Sequence, residues 1–212
     1  MKGGSQVTGP PSARARNLRT VAALAALFLL PLALAFYVYY GTAWRPTGRI
    51  NHGSLISPPR LLPQPALPRV PPGATGGAPA GATSVATFRG DWTLVYVGDA
   101  ACDADCLRAL LVMRQTRLGL NGDMTRVERV WLATGKCCPA QGAAPLEAGL
   151  VVLDASGPAG EALLAEFPAA GRAHSLFVVD PLGNLMMRYD ARSDPHGLLE
   201  DLRKLLRLSH IG

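Results

Sequence analysis

Thr93-Leu-Val-Tyr-Val-Gly98-Asp-Ala-Ala-Cys102-Asp-Ala-Asp-Cys106 reads as a buried strand that stops at a glycine and passes into a helix carrying two cysteines. Four residues make roughly one helical turn, so a helix beginning by Cys102 places both sulfurs on one face. That spacing suits a disulfide, or two thiolates offered to a soft metal. Two aspartates, Asp103 and Asp105, flank the sulfurs and read as helix-capping residues that complement the dipole.

The surrounding pattern extends the reading. Thr93–Val97 is the first strand of a globular part beginning near Thr87, and a helix follows from Asp103 to Leu118, with Leu107, Leu110, Leu111 and Arg114 at helical spacing. Asn121-Gly122 stops it. Strands follow at 126–133, 150–154, 174–180 and 185–189, with a short helix at 159–166. The last two strands are joined by Asp180-Pro-Leu-Gly183, and an amphipathic helix closes the chain at 198–208. The order β-α-β-β-α-β-β-α, with cysteines at the start of the first helix, predicts an α/β thioredoxin-like domain over 87–212, its mixed sheet flanked by helices.

Upstream, the chain changes character. Residues 1–90 hold nine Lys/Arg and no Asp or Glu, whereas residues 91–212 hold twelve basic and fifteen acidic side chains. The basic balance belongs to the N-terminal arm, so it is not the footprint of a nucleic-acid binder. Val21–Tyr40 is a run of twenty uncharged residues, enough for a helix of ~30 Å, the thickness of a bilayer core. Tyr37, Tyr39, Tyr40 and Trp44 form an aromatic belt at its end. Its length favours a retained anchor over a cleaved signal, although Ala33-Leu34-Ala35 offers a small-x-small site. Lys2, Arg14, Arg16 and Arg19 favour a cytoplasmic tail over residues 1–20. The expectation is a single-pass protein of the inner membrane, spanning it at 21–40, with its C-terminal domain on the periplasmic side. Residues 41–86, rich in Pro, Gly and Ala, read as a linker in which the Asn51–Pro63 stretch is extended and partly ordered, its paired prolines favouring polyproline or strand-like backbone, and Pro71–Val85 is a flexible spacer. His52, on that arm, reads as a solvated side chain rather than a ligand.

Asp91-Trp-Thr-Leu-Val-Tyr-Val-Gly98, Cys102-x-x-x-Cys106 and the later His174-Ser-Leu-Phe-Val-Val-Asp-Pro-Leu-Gly-Asn-Leu together resemble the Sco/SenC family of copper-binding cytochrome oxidase assembly proteins. The resemblance covers most of 87–208. It implies that Cys102, Cys106 and His174 bind one copper ion, as Cu(I) or Cu(II), and that the partner is the copper subunit of a respiratory oxidase or another copper or thiol client. The ligand set is chemically apt, since thiolates select Cu(I) and an imidazole completes a site that also holds Cu(II).

Two other readings stand beside it. Cys102 and Cys106 are also the expected catalytic pair of a metal-free thiol–disulfide oxidoreductase. Alternatively, the cysteines only staple a structural assembly factor. Cys137 and Cys138 read as structural or redox-active, through a bond to Cys102 or Cys106, ahead of a second pair of soft ligands. A classical enzyme is not expected, because the chain has no Gly-rich phosphate loop after a strand, no Gly-x-Ser-x-Gly and no His-Glu-x-x-His. His196 reads as a helix-start residue, and Met186 and Met187 as alternating core residues of a strand.

Overall fold

The computed structural model describes residues 13–41, 51–70, 83–85, 88–135, 148–193, 195–209 and 211. The chain divides into two units, Met1–Arg49 and Ile50–Gly212.

In the first unit, α1 runs over Ala13–Gly41 with Pro31 inside it. Its stretch Arg16–Gly41 is long and apolar enough to cross a membrane. The leucines and phenylalanines of that stretch are exposed around the whole helix, an arrangement that water does not favour and lipid does. At its end, Phe36 stacks on Tyr40 with ring centroids 5.6 Å apart, and Tyr39 meets Tyr40 edge-on at 4.7 Å.

The second unit is built on one eight-stranded sheet. Its strands are β1 (Ser54–Leu61), β2 (Ala66–Val70), β3 (Thr83–Val85), β4 (Trp92–Asp99), β5 (Val127–Thr134), β6 (Leu150–Asp154), β7 (Ser175–Val179) and β8 (Asn184–Asp190). The helices are α2 (Ala104–Gly119), α3 (Pro158–Leu164) and α4 (Pro195–Leu208). The spatial order is β1-β8-β7-β4-β5-β6-β2-β3. β4, β5 and β6 are parallel, and every other pairing is antiparallel. Only the parallel central strands need crossover connections, and α2 supplies the one from β4 to β5.

Because β4, and β5 from Val130 to Ala133, are apolar on both sides, each face of the sheet carries its own core. Trp92, Leu94 and Tyr96 of β4 join Val127 and Trp131 of β5 on the face that α2 and α4 cover. Val95, Val97, Val130 and Leu132 point the other way, toward Leu163 of α3, Phe167 and Phe177. This double burial is what continuous apolar strands at the centre of a layered α/β sheet predict.

Several expectations change. Residues 51–70, inside the expected linker 41–86, are part of the sheet: β1 pairs with β8 at one edge and β2 with β6 at the other. Leu62, just after β1, and Leu67, within β2, are buried in the core of the α3 face. Edge strands tolerate proline, because the missing N–H can face outward, so the extended backbone expected at Pro58-Pro59 is that of an edge strand. In α2 the buried stripe is Cys106, Ala109, Leu110 and Met113, while Leu111 faces solvent. The strand expected from His174 begins one residue later, at Ser175. Met186 and Met187 do not simply alternate: a register shift between Val178 and Val179 on the neighbouring strand leaves both packed on the α2–α4 core.

Candidate functional site

β4 ends where its geometry requires a glycine. A Cβ on Gly98 would stand 2.5 Å from the Tyr96 ring and hydroxyl, so the strand closes over that ring only without a side chain. The chain then turns. Asp99 accepts from the Ala101 N–H at 2.7 Å through its carboxylate and from the Cys102 N–H at 3.1 Å through its carbonyl. Ala100 donates to the Thr134 carbonyl at 2.9 Å, which ties the turn to the end of β5.

Cys102 precedes the helix instead of opening it. Its φ of 46° lies in the left-handed region, rarely occupied by residues other than glycine. Asp103 is the N-cap of α2, and its carboxylate accepts from the Cys106 N–H at 2.9 Å. The two sulfurs therefore meet across the cap, not along one helical turn. Cys102 and Cys106 are joined as a disulfide with their Cα atoms 5.0 Å apart. Cys102 is 6% exposed and Cys106 1%, so both residues are buried. Asp99, Asp103 and Asp105 surround this corner, and their charges add to burial in pushing the Tyr96 phenol well above its ordinary value.

His174, half-buried, is the last residue of a 3-10 turn, Arg172–His174, that leads into β7. This turn packs against both β4 and α2, the two elements that frame the cysteines. Its imidazole lies back over its own turn: a Cβ on Gly171, whose φ is +67°, would stand 3.0 Å from His174 Nε2. The His174 carbonyl accepts from the Ala191 N–H at 2.8 Å. Nearby, hydrogen bonds from the Arg192 guanidinium hold the Asp190 carboxyl down at about 2, against a smaller opposing effect of burial, with His174 a minor contributor.

The cysteines are thus brought together, and the turn carrying His174 shares their two supporting elements. Among the described residues, no group of three or more His, Cys, Asp and Glu side chains is arranged to hold a metal ion. A soft cation would need the disulfide opened and the imidazole turned outward. Cys137 and Cys138 lie outside the described residues. A cavity of about 320 Å³ lies elsewhere on the same unit, lined by His52, Val112, Leu176, Tyr189 and Pro195 among others, and by neither cysteine nor His174.

Sequence reasoning missed three residues. Tyr96 reads only as a strand residue, yet its hydroxyl donates to the Ala173 carbonyl at 2.8 Å. Gly171 seats the His174 ring. Asp201, 4% exposed on α4, accepts from the His52 N–H at 2.7 Å, the Gly53 N–H at 3.2 Å and the Tyr189 hydroxyl at 2.9 Å. The only signal for Asp201 is an acidic residue falling on the buried stripe of an amphipathic helix. His52, expected to be solvated, is half-exposed and contacts the same carboxylate through Nδ1 at 3.3 Å, with Glu200 3.6 Å from its Nε2. His196 stands one turn before Glu200, 3.3 Å from it.

Among solved structures, the apo Sco1 protein of Thermus thermophilus is 16% identical, with a TM-score of 0.53 over 75% of this chain and 99% of that one. ScoI of Bradyrhizobium japonicum with copper bound is 14% identical, with a TM-score of 0.43 over 55% of this chain and 86% of that one. Yeast Sco1 with copper bound is 10% identical, with a TM-score of 0.48 over 57% and 82%. The likeness to the Thermus thermophilus protein is one of fold, and the fold is the thioredoxin-like one expected. No curated protein matches the chain. Residues 92–209, more than half of the chain and the whole run from β4 through α4, match the family described as transmembrane-like, thioredoxin-like, C-terminal domain, and the chain belongs to that family.

Proposed function

We propose that this chain is a membrane-anchored, Sco-like carrier that holds one copper ion on Cys102, Cys106 and His174 and serves the copper site of a respiratory oxidase. The observation that carries the reading is the sulfur pair at the end of β4, joined across a helix cap, with the turn of His174 packed on the same strand and helix. Reduction by a dithiol of the compartment breaks the S–S bond, takes up two electrons and two protons, and leaves two thiols. Copper then displaces those protons, because a metal-bound sulfur is a thiolate. Two thiolates suit Cu(I), and the imidazole widens the range to Cu(II). The three aspartates around the corner favour a cation as well. The apolar α1, with Lys2, Arg14, Arg16 and Arg19 before or at its start, supports placement in the inner membrane with the domain on the periplasmic side.

A second reading is favoured by the disulfide itself: a metal-free thiol–disulfide oxidoreductase. A client thiolate would attack one sulfur of the pair, for instance that of Cys102, forming a mixed disulfide and expelling the Cys106 thiolate, and a second client thiolate would resolve it. Loading the reduced protein with Cu(I) and Cu(II) and measuring bound metal separates the two. One equivalent retained, with His174→Ala weakening Cu(II) binding by about 10-fold or more and leaving disulfide exchange intact, supports the carrier. No retained copper, with exchange that disappears in Cys102→Ser, supports the oxidoreductase.

A further inference from the structure

The cap explains how the sulfurs meet, but not what holds the His174 turn against the same strand and helix. The turn Arg172–His174 is a single 3-10 turn: Arg172 N–H donates to Ala169 and His174 N–H to Gly171, both over a long 3.3 Å, and Ser175 N–H closes it on the Arg172 carbonyl. Such turns are weakly held by their own backbone. Its last carbonyls also lack partners within the turn, as at any helix end. The Ser175 hydroxyl, donating to the Gly171 carbonyl at 2.6 Å, secures its start. The Ala173 carbonyl, directly before His174, is taken by a side chain 77 residues away: Tyr96.

Tyr96 is 1% exposed, and packing alone would be served by phenylalanine. A buried phenol must find a hydrogen-bond partner, and this one finds it on the histidine turn. Its ring is held in turn. Gly98 closes over it, and the Trp131 ring stands 6.4 Å away while its Nε1–H points at the Gly98 carbonyl, 3.4 Å away. One side chain therefore joins the strand leading to Cys102 with the peptide that carries His174.

We propose that Tyr96 is a positioning residue: through its bond to Ala173 it fixes the His174 turn relative to the Cys102–Cys106 corner, so that the imidazole is in reach when the sulfurs are reduced. The functional half of this inference rests on the copper reading above; the structural half does not. Tyr96→Phe removes one hydroxyl and keeps the ring.

The test compares the full-length protein in detergent with Tyr96→Phe, His174→Ala and the double variant. With Cu(II) as probe, Tyr96→Phe loses about 10-fold in affinity, the scale of an outer-shell contact to a ligating histidine. In the double variant it adds nothing to the loss caused by His174→Ala. In the metal-free protein, the His174 ring gives one set of NMR resonances in the wild type and a broadened or doubled set in Tyr96→Phe. Unchanged His174 resonances overturn the proposal, as does a loss that adds in full to that of His174→Ala. Should the wild type bind no copper, the carrier reading fails and the His174 resonances alone decide this one. Should Tyr96→Phe not fold, the wild type still decides: a slowly exchanging Tyr96 hydroxyl proton close to the Ala173–His174 peptide supports the link, and a freely exchanging one refutes it.

Discussion

At the scale of single residues, the corner between β4 and α2 depends on two side chains of opposite character, one absent and one charged. Gly98 leaves room for the Tyr96 ring, and a methyl placed 2.5 Å from it forces a buried side chain to move. Gly98→Ala is expected to cost about 1–3 kcal/mol, the usual toll of overpacking a filled core, read as a lower urea midpoint at unchanged slope. Asp103 acts through its cap on the Cys106 N–H. Asp103→Ala should cost about 1 kcal/mol and Asp103→Asn much less, since the amide oxygen still caps. Equal losses in the two variants would show that charge, not the cap, is what Asp103 contributes. Asp190 carries a pH expectation of definite sign. Its carboxyl is held down at about 2, so its pairing with Arg192 is present above the ordinary carboxylate range and is lost as pH falls toward 2. Both side chains are well exposed, so the effect on stability is small, and NMR titration of the carboxyl is the suitable measurement.

Among the elements, the segment 51–70 behaves as a strap. It pairs with both flanks of the sheet and is pinned at its start by Asp201. Burial alone would raise the Asp201 carboxyl, but hydrogen bonds from Tyr189, Gly53 and His52 outweigh it and hold it below its ordinary value. A depressed carboxyl stabilises the folded state above its ordinary value of 3.8 and loses that contribution as pH drops below it. The strap is therefore expected to loosen in acid. The His52 and Gly53 amides should lose hydrogen-exchange protection there, and Asp201→Asn should remove most of that pH dependence. Asp201→Ala leaves three donors facing a void and should cost on the order of 3 kcal/mol. Gly197 serves the same junction: a Cβ there would meet His52 Cβ at 2.6 Å, so Gly197→Ala should also raise exchange at the start of the strap.

For the whole molecule, the strap makes the structural unit larger than the family match, which begins at residue 92. Leu62 and Leu67, each 2% exposed, together contribute about 3–6 kcal/mol of burial. β1 and β2 also cover the edges of β8 and β6, which would otherwise be open to pairing with other chains. A chain beginning at Ile50 should fold as a monomer. One beginning at Thr87 should melt much lower and aggregate, a difference that sedimentation and thermal unfolding would reveal. Equal behaviour of the two would mean that the strap is only an ornament.

What the sequence determined by itself was whatever lies in local pattern. The apolar run of β4, the spacing of Cys102 and Cys106, the Asp180–Gly183 hairpin and the final amphipathic helix each declare themselves within a dozen residues, and together they specify a thioredoxin-like domain behind an apolar helix. Tertiary structure decided the rest, for a physical reason. The Pro-Pro of β1 declares extended backbone locally, and only the presence of β8 beside it makes that an edge strand. The bonds from Tyr96 to Ala173 and from His52 to Asp201 span 77 and 149 residues, and no periodicity carries information over such distances. They exist because folding buries a phenol and a carboxylate, and a polar group removed from water must take whatever partner the fold brings to it.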